Sequence, residues 1–154
     1  MEGPAREEHE VEKKKVLFVC VHNSARSQMA EEYMRKLGGE NYEAESAGLE
    51  PGQLNPLVVE AMKEEGVDLS GKKTQSVFDL YKAGNTYDFV ITVCSKEAEE
   101  KCPFFPGVAL RLNWPFADPA KLEGPHEEKL VEVRKIRDQI KERIEAFLKV
   151  FSDL

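Results

Sequence analysis

The run VLFVCV, Val16 to Val21, constrains this chain more than any other segment. It is short, almost wholly apolar and rich in β-branched side chains, which predicts a strand buried on both faces. Helix signals follow at once. Met29, Tyr33 and Leu37 recur at every fourth position, Ala30 and Met34 widen the apolar stripe, and Gly38-Gly39 ends it. A buried strand feeding directly into an amphipathic helix is the start of a βαβ unit, and such units build parallel sheets.

The same alternation continues along the chain. Tyr42 to Ala47 alternates as a second strand closed by Gly48. Asn55-Pro56 opens a helix carrying Leu57, Val58, Ala61 and Met62 on its apolar side, and Gly66 stops it. Ser76 to Tyr81 reads as a short helix, Tyr87 to Val93 as a strong strand, Ser95 to Glu100 as a short acidic helix, and Val108 to Leu112 as a fourth strand. Leu130, Val133, Ile136, Ile140, Ile144, Phe147 and Phe151 then recur at threes and fours, predicting one long helix from about Glu123 to Lys149. The expected fold is α/β: a small doubly wound, four-stranded parallel sheet with helices on both faces. Residues 1–14 read as a charged leader and 15–154 as a single domain, a size that closes one core without staples. Ligands of such folds sit beyond the carboxyl ends of the strands, where Cys20 and Cys94 both fall.

Charge and cysteine use narrow the function. A formal net charge of −7 argues against nucleic acid as a partner, because phosphate backbones call for a basic face. No apolar run approaches the length of a membrane span, and the first residues lack the apolar segment of a signal peptide. Cys20, Cys94 and Cys102 are too few, and odd in number, for a secreted disulfide scaffold. A reducing, cytoplasmic setting is the expectation.

Cys20 stands where the first strand ends, and Arg26 follows after the small, polar spacer VHNSA. Between a strand and a helix, successive backbone N–H groups can turn inward as an anion nest, here Val21, His22, Asn23, Ser24, Ala25 and Arg26. The helix start adds its unpaired N–H groups and positive dipole end, and Arg26 closes the ring with a two-pronged fork. That field favours a Cys20 thiolate ready to attack a bound tetrahedral oxyanion. Asn23 is suited to hold the loop's shape, and Ser27 to donate to the Cys20 sulfur. His22 is read as a loop-orienting or solvent-facing residue, since a thiolate in such a nest needs no base. On the residues alone, a buried core cysteine and a surface arginine remain the rival reading. Cys94 and Cys102 likewise fit buried structural cysteines, a redox pair, or a poor metal set lacking any CxxC pair.

HNSARSQMAE behind a strand and a cysteine, SAG at 46–48, NP at 55–56, TVCS at 92–95, CPFFPG at 102–107 and WPFADP at 114–119 occur together. In these segments the chain resembles the low-molecular-weight protein tyrosine phosphatase superfamily. More closely, it is similar to its thioredoxin-coupled arsenate reductase branch, over about Lys15 to Phe147. The resemblance implies that Cys20 attacks arsenate and that Cys94 attacks the adduct, releasing arsenite with a Cys20–Cys94 disulfide. Cys102 then takes over Cys94, and thioredoxin reduces the final disulfide. It also implies Asp118, in its Asp-Pro pair, as general acid. Trp114 and Phe116 read as packing residues that fix that loop.

The chain departs from the pattern in several places. The family spaces its last two cysteines by seven and this chain by eight, so the geometry of the final disulfide stays open. The phosphatase branch carries an aromatic after Asp-Pro where Ala120 stands, which weakens phosphotyrosine as a substrate. Ala25 replaces a cysteine found in some relatives. Some reductases hold potassium near groups matching Asn23, Glu31 and Ser46, but Gln75 stands where a further aspartate belongs. No tightly bound cofactor or metal is therefore expected, with potassium left open, and Asn23 and Ser46 are read as loop supports. Arsenate or a phosphate-type oxyanion and thioredoxin are the expected partners, with glutaredoxin as the alternative reductant, and the chain is expected to be a monomer. The runner-up activity is phosphomonoester hydrolysis by Cys20, Arg26 and Asp118 alone. The non-enzymatic rival is an oxyanion-binding or redox-sensing module.

Overall fold

The structure is a computed structural model that describes residues 13–151. Four strands, β1 (Lys14–Cys20), β2 (Tyr42–Gly48), β3 (Phe89–Thr92) and β4 (Leu110–Asn113), form one sheet in the order β2-β1-β3-β4. All three pairings are parallel, with Cys20 opposite Gly48, Val19 opposite Thr92, and Thr92 opposite Asn113. The carboxyl ends of the strands therefore line up along one edge of the molecule. The first crossover carries the chain from β1 to β2 on one side, and the next returns it from β2 past β1 to β3 on the other, so the sheet's switch point lies at the carboxyl ends of β1 and β3.

Burial on both faces explains the apolar run. Val16, Phe18 and Cys20 enter one core cluster and Leu17 and Val19 the other, as strand alternation demands. The first cluster is covered by α1 (Arg26–Gly38), α2 (Pro56–Lys63) and α5 (His126–Phe151). The second lies under α3 (Val77–Lys82) and the chain around Cys102 and Phe105. The remaining helix, α4 (Lys96–Glu99), is short and buries none of its residues.

Element starts follow local chemistry. Asn55, Ser76 and Ser95 each cap a helix by accepting a backbone N–H of the first turn. Several boundaries differ from expectation. The first strand begins at Lys14, inside the charged leader, and ends at Cys20, so Val21 belongs to the loop; the leader's residues 1–12 lie outside the described residues. The third and fourth strands are shorter than predicted. The long helix starts at His126 rather than Glu123, because Gly124 takes φ +111 and Pro125 follows it, neither of which continues a helix backward. Leu37 is exposed rather than part of the buried stripe. Steps of four overshoot the 3.6-residue turn by about 40° each, so by the third turn the side chain has swung off the face.

Candidate functional site

The loop after β1 is held from outside. The carbonyls of Cys20, Val21, His22 and Ser24 accept the backbone N–H groups of Leu49, Glu50, Gly52 and Asn55. The Asn23 carbonyl accepts Gln28 Nε2 at 3.1 Å, and that of Ala25 accepts the Met29 N–H at 3.0 Å. A trans peptide sets its N–H opposite the preceding carbonyl. With the carbonyls of residues 20–25 drawn outward, the N–H groups of residues 21–26 face the loop's interior. Ala25 provides no side-chain cap for α1, which leaves that helix start's positive end facing the same space.

Asn23 is the keystone. It is fully buried, and it takes the left-handed φ of +56 that asparagine tolerates better than most residues. Its Oδ1 accepts the Gln75 N–H at 3.0 Å, and its Nδ2 donates to Ser27 Oγ at 2.8 Å. Because Ser27 Oγ accepts there, its own O–H is free to donate to Cys20 Sγ, 2.9 Å away. The Asn23 N–H also donates to Cys20 Sγ, at 3.2 Å. A sulfur facing two donors is arranged to bear negative charge. Gly48 makes room for the loop: a Cβ there would lie 2.8 Å from both the Asn23 nitrogen and the Val21 oxygen. His22 is exposed and bonds through Nδ1 to the Glu50 carbonyl, which fastens the loop's outer side.

Arg26 is buried and reaches across to the loop after β4. Its Nη1 donates to the Phe116 carbonyl at 3.1 Å, and its Nη2 lies 3.6 Å from Asp118 Oδ2. Its Nε is buried with no hydrogen-bond partner among the described residues, as expected of a group awaiting an anion. Asp118 is partly exposed and caps the following turn by accepting the Ala120 N–H at 2.9 Å. Trp114 fixes this loop from below, packed against Phe18 and Phe147.

The three thiols are free and buried. Cys94 follows β3, beside β1, and its Sγ faces the Val19 carbonyl at 3.9 Å. Burial pushes the Cys94 thiol up to about 11, and the neighbouring Cys20 adds to that rise. Cys102 is not at the cradle. It belongs to the core cluster on the opposite face of the sheet from Cys20 and Cys94, and burial pushes its thiol up to about 11 as well. The fold thus brings together Cys20, Arg26, Ser27, Asn23, Cys94 and Asp118, and holds Cys102 apart.

The family model for low molecular weight phosphotyrosine protein phosphatases matches residues 15–153. An arsenate reductase of Bacillus licheniformis is 44% identical over 135 residues, a match spanning 88% of this chain and 95% of that one. The chain belongs to this phosphatase family, in its arsenate reductase branch. A solved arsenate reductase in the phosphate binding state superposes with a TM-score of 0.71 at 32% identity, covering 88% of this chain and 97% of that one. A thioredoxin-dependent arsenate reductase of Corynebacterium glutamicum gives a TM-score of 0.59 at 30% identity, covering 90% of this chain and 66% of that one.

Potassium, which some members of this branch hold, does not fit these residues. The Glu31 carboxylate accepts Ser46 Oγ at 2.6 Å and is ion-paired with both Lys72 and Arg35. Asn23 Oδ1 is engaged by the Gln75 N–H. The Lys72 ammonium supplies the positive charge there, and Gln75, which lacks the negative charge of an aspartate, donates Nε2 to the Ser46 carbonyl at 2.9 Å. Among the described residues, no group of three or more His, Cys, Asp or Glu gathers as a metal site. No helix among them is long and apolar enough to cross a membrane. A cavity of about 420 Å³ lined by Lys15, Arg35, Tyr42 and Tyr87 lies at the amino ends of the strands, away from this chemistry.

Sequence reasoning did not pick out Gln28, Lys72 or Arg111, or the reason for Gly48. Gly48 left a signal, a glycine closing an alternating strand. The others are ordinary polar residues whose partners lie elsewhere in the chain.

Proposed function

We propose that this protein reduces arsenate to arsenite, with Cys20, Cys94 and Cys102 as the thiol relay and thioredoxin as the reductant. The observation that carries this reading is the second buried thiol: Cys94 stands beside the cradle, in the same core cluster as Cys20, with its Sγ 3.9 Å from the carbonyl of Val19, the residue before Cys20. A phosphatase has no use for it.

Arsenate enters the cradle of N–H groups and the Arg26 fork. Cys20 Sγ attacks arsenic, and Asp118 protonates the oxygen that leaves as water. Ser27 and the Asn23 N–H steady the sulfur's charge as it attacks. Cys94 then attacks Cys20 Sγ. The S–S bond forms as the As–S bond breaks, and its electron pair stays with arsenic, which departs as arsenite. Cys102 attacks Cys94 and releases Cys20 as a thiolate. Thioredoxin's dithiol reduces the Cys94–Cys102 disulfide. Residues 15–154 act as one domain, and the free thiols suit the cytoplasm. The cradle's support comes from protein groups alone, with Lys72 in the place a cation would take.

Hydrolysis of phosphomonoesters is a second reading, favoured by the convergence of Cys20, Arg26 and Asp118, which needs neither of the other thiols. Ala120 offers no aromatic grip on a tyrosyl group.

The test supplies arsenate, thioredoxin, its reductase and NADPH, and follows NADPH loss in wild type, Cys94→Ser and Cys102→Ser. Turnover is expected in wild type and lost in both variants, while aryl phosphate hydrolysis persists in both. Equal turnover in all three proteins would sink the relay, and no arsenite from wild type would leave hydrolysis as the activity.

A further inference from the structure

Cys102 is buried in the core cluster of the face opposite to that of Cys94, so the segment bearing it has to open for the two sulfurs to meet. Its own apolar anchorage is weak before Cys102, since α4 buries none of its residues. What holds it is β4. Arg111 and Asn113 are two residues apart on that strand and therefore project on the same face. Asn113 Nδ2 donates to the Cys94 carbonyl at 3.0 Å, at the start of the segment. Arg111 holds the far end with its whole guanidinium. Nε donates to Glu99 Oε2 at 2.8 Å, and Nη1 to the Pro103 carbonyl at 3.0 Å. Nη2 donates to the carbonyls of Glu99 at 3.0 Å and of Cys102 at 3.2 Å. The Phe104 ring, 75% exposed, lies over the same guanidinium at 4.1 Å. One side chain thus makes four hydrogen bonds to three residues of the segment, Glu99, Cys102 and Pro103, among them the carbonyl of the cysteine itself.

We propose that Arg111 is the latch on the relay: it keeps Cys102 in the core until Cys94 is drawn toward Cys20, and its release lets Cys102 attack. Arg111 is a positioning residue, since it touches neither the oxyanion nor a reacting sulfur. The step it gates is the thiol exchange, in which Cys102, its proton lost to solvent on opening, forms the bond to Cys94 while Cys20 leaves as thiolate. Four hydrogen bonds lost at once outweigh what a short, exposed helix can replace. An ammonium in place of the guanidinium cannot span the carboxylate and three carbonyls together.

The inference rests on the relay reading, and its test does not depend on arsenate. The reduced full-length protein is labelled with iodoacetamide, and each cysteine is followed by peptide mass spectrometry in wild type, Arg111→Ala, Arg111→Lys and Glu99→Gln. In Arg111→Ala the Cys102 labelling rate is expected to rise about tenfold or more, with Cys20 and Cys94 changing less than about threefold. Arg111→Lys and Glu99→Gln should fall between it and wild type, and keep the test open if the alanine variant fails to fold. Unchanged Cys102 labelling in the folded variants would overturn the latch. So would a parallel rise at all three cysteines, which marks general loss of stability. In a single turnover with arsenate, conversion of the Cys20–Cys94 disulfide into Cys94–Cys102 should be faster in Arg111→Ala. If wild type forms no first disulfide, the relay fails while the labelling result still judges the latch.

Discussion

The loop at residues 20–27 and the segment at 94–106 both carry reactive cysteines, and they are built on opposite plans. In the loop, every carbonyl from Cys20 to Ala25 is tied to a fixed neighbour and Cys20 Sγ meets two donors. Nothing there has to move for the sulfur to be reactive. In the segment, the thiols are protonated and shielded, and one arginine on an edge strand supplies most of the polar grip. The first is preorganised for a charged ligand, where reorganisation would cost rate. In the proposed relay, the second is kept inert until the chain opens. Nucleophilic power in this molecule is thus a property of shape in one place and of motion in the other.

The largest expected effect removes the fixed half outright. Cys20→Ser should lower arsenite formation by on the order of 10⁴-fold or more, leaving Cys94 and Cys102 reduced after exposure to arsenate, as thiol counting would show. Asp118→Asn removes the proton donor while keeping the acceptor that caps the turn. Its turnover should fall by roughly 10²–10³-fold with arsenate affinity little changed, read as a kcat loss at constant KM. Gly48→Ala pushes a methyl group into the loop's backbone and should cost about 10²-fold in turnover, accompanied by weaker protection of the protein by phosphate against heat.

The movable half answers to pH. Both thiols stand near 11 in the folded chain, above the ordinary 9.0, so the folded state keeps these protons longer than the unfolded one. The stability this contributes is whole below about pH 9 and is lost as pH rises through about 11, at roughly 2–3 kcal/mol per thiol. Urea unfolding from pH 8 to 11 should show a decline that a Cys94→Ala/Cys102→Ala double variant flattens. The smallest effect concerns the loop's support: exchanging potassium for sodium at constant ionic strength should leave turnover unchanged, because Lys72 already neutralises Glu31. A requirement for potassium would mean that Lys72 yields its place.

Much of the fold could be read from the chain because its signals are local. A short, β-branched apolar run reads as a strand covered on both sides, and Asn55, Ser76 and Ser95 mark helix starts by their own side chains. Cys20 and Arg26 were legible for the same reason, as both lie on one short loop. Leu37 misled because a repeat of four imitates a helical face without keeping to it. Lys72 and Arg111 carry no local mark. Their partners lie 41 and 8 to 12 positions away, and only the folded sheet makes them neighbours. The separation of Cys102 from Cys94 was equally hidden, because spacing along a chain does not say on which side of a sheet a loop will settle.

That separation has a consequence for a resting enzyme. Two electrons' worth of reducing power sit in Cys94 and Cys102, buried in the core clusters of opposite faces of the sheet, like the plates of a capacitor. A stray oxidant such as peroxide meets sulfurs that are protonated and covered, so it discharges the pair slowly. In the proposed relay, the charge flows once a bound oxyanion has drawn Cys94 toward Cys20.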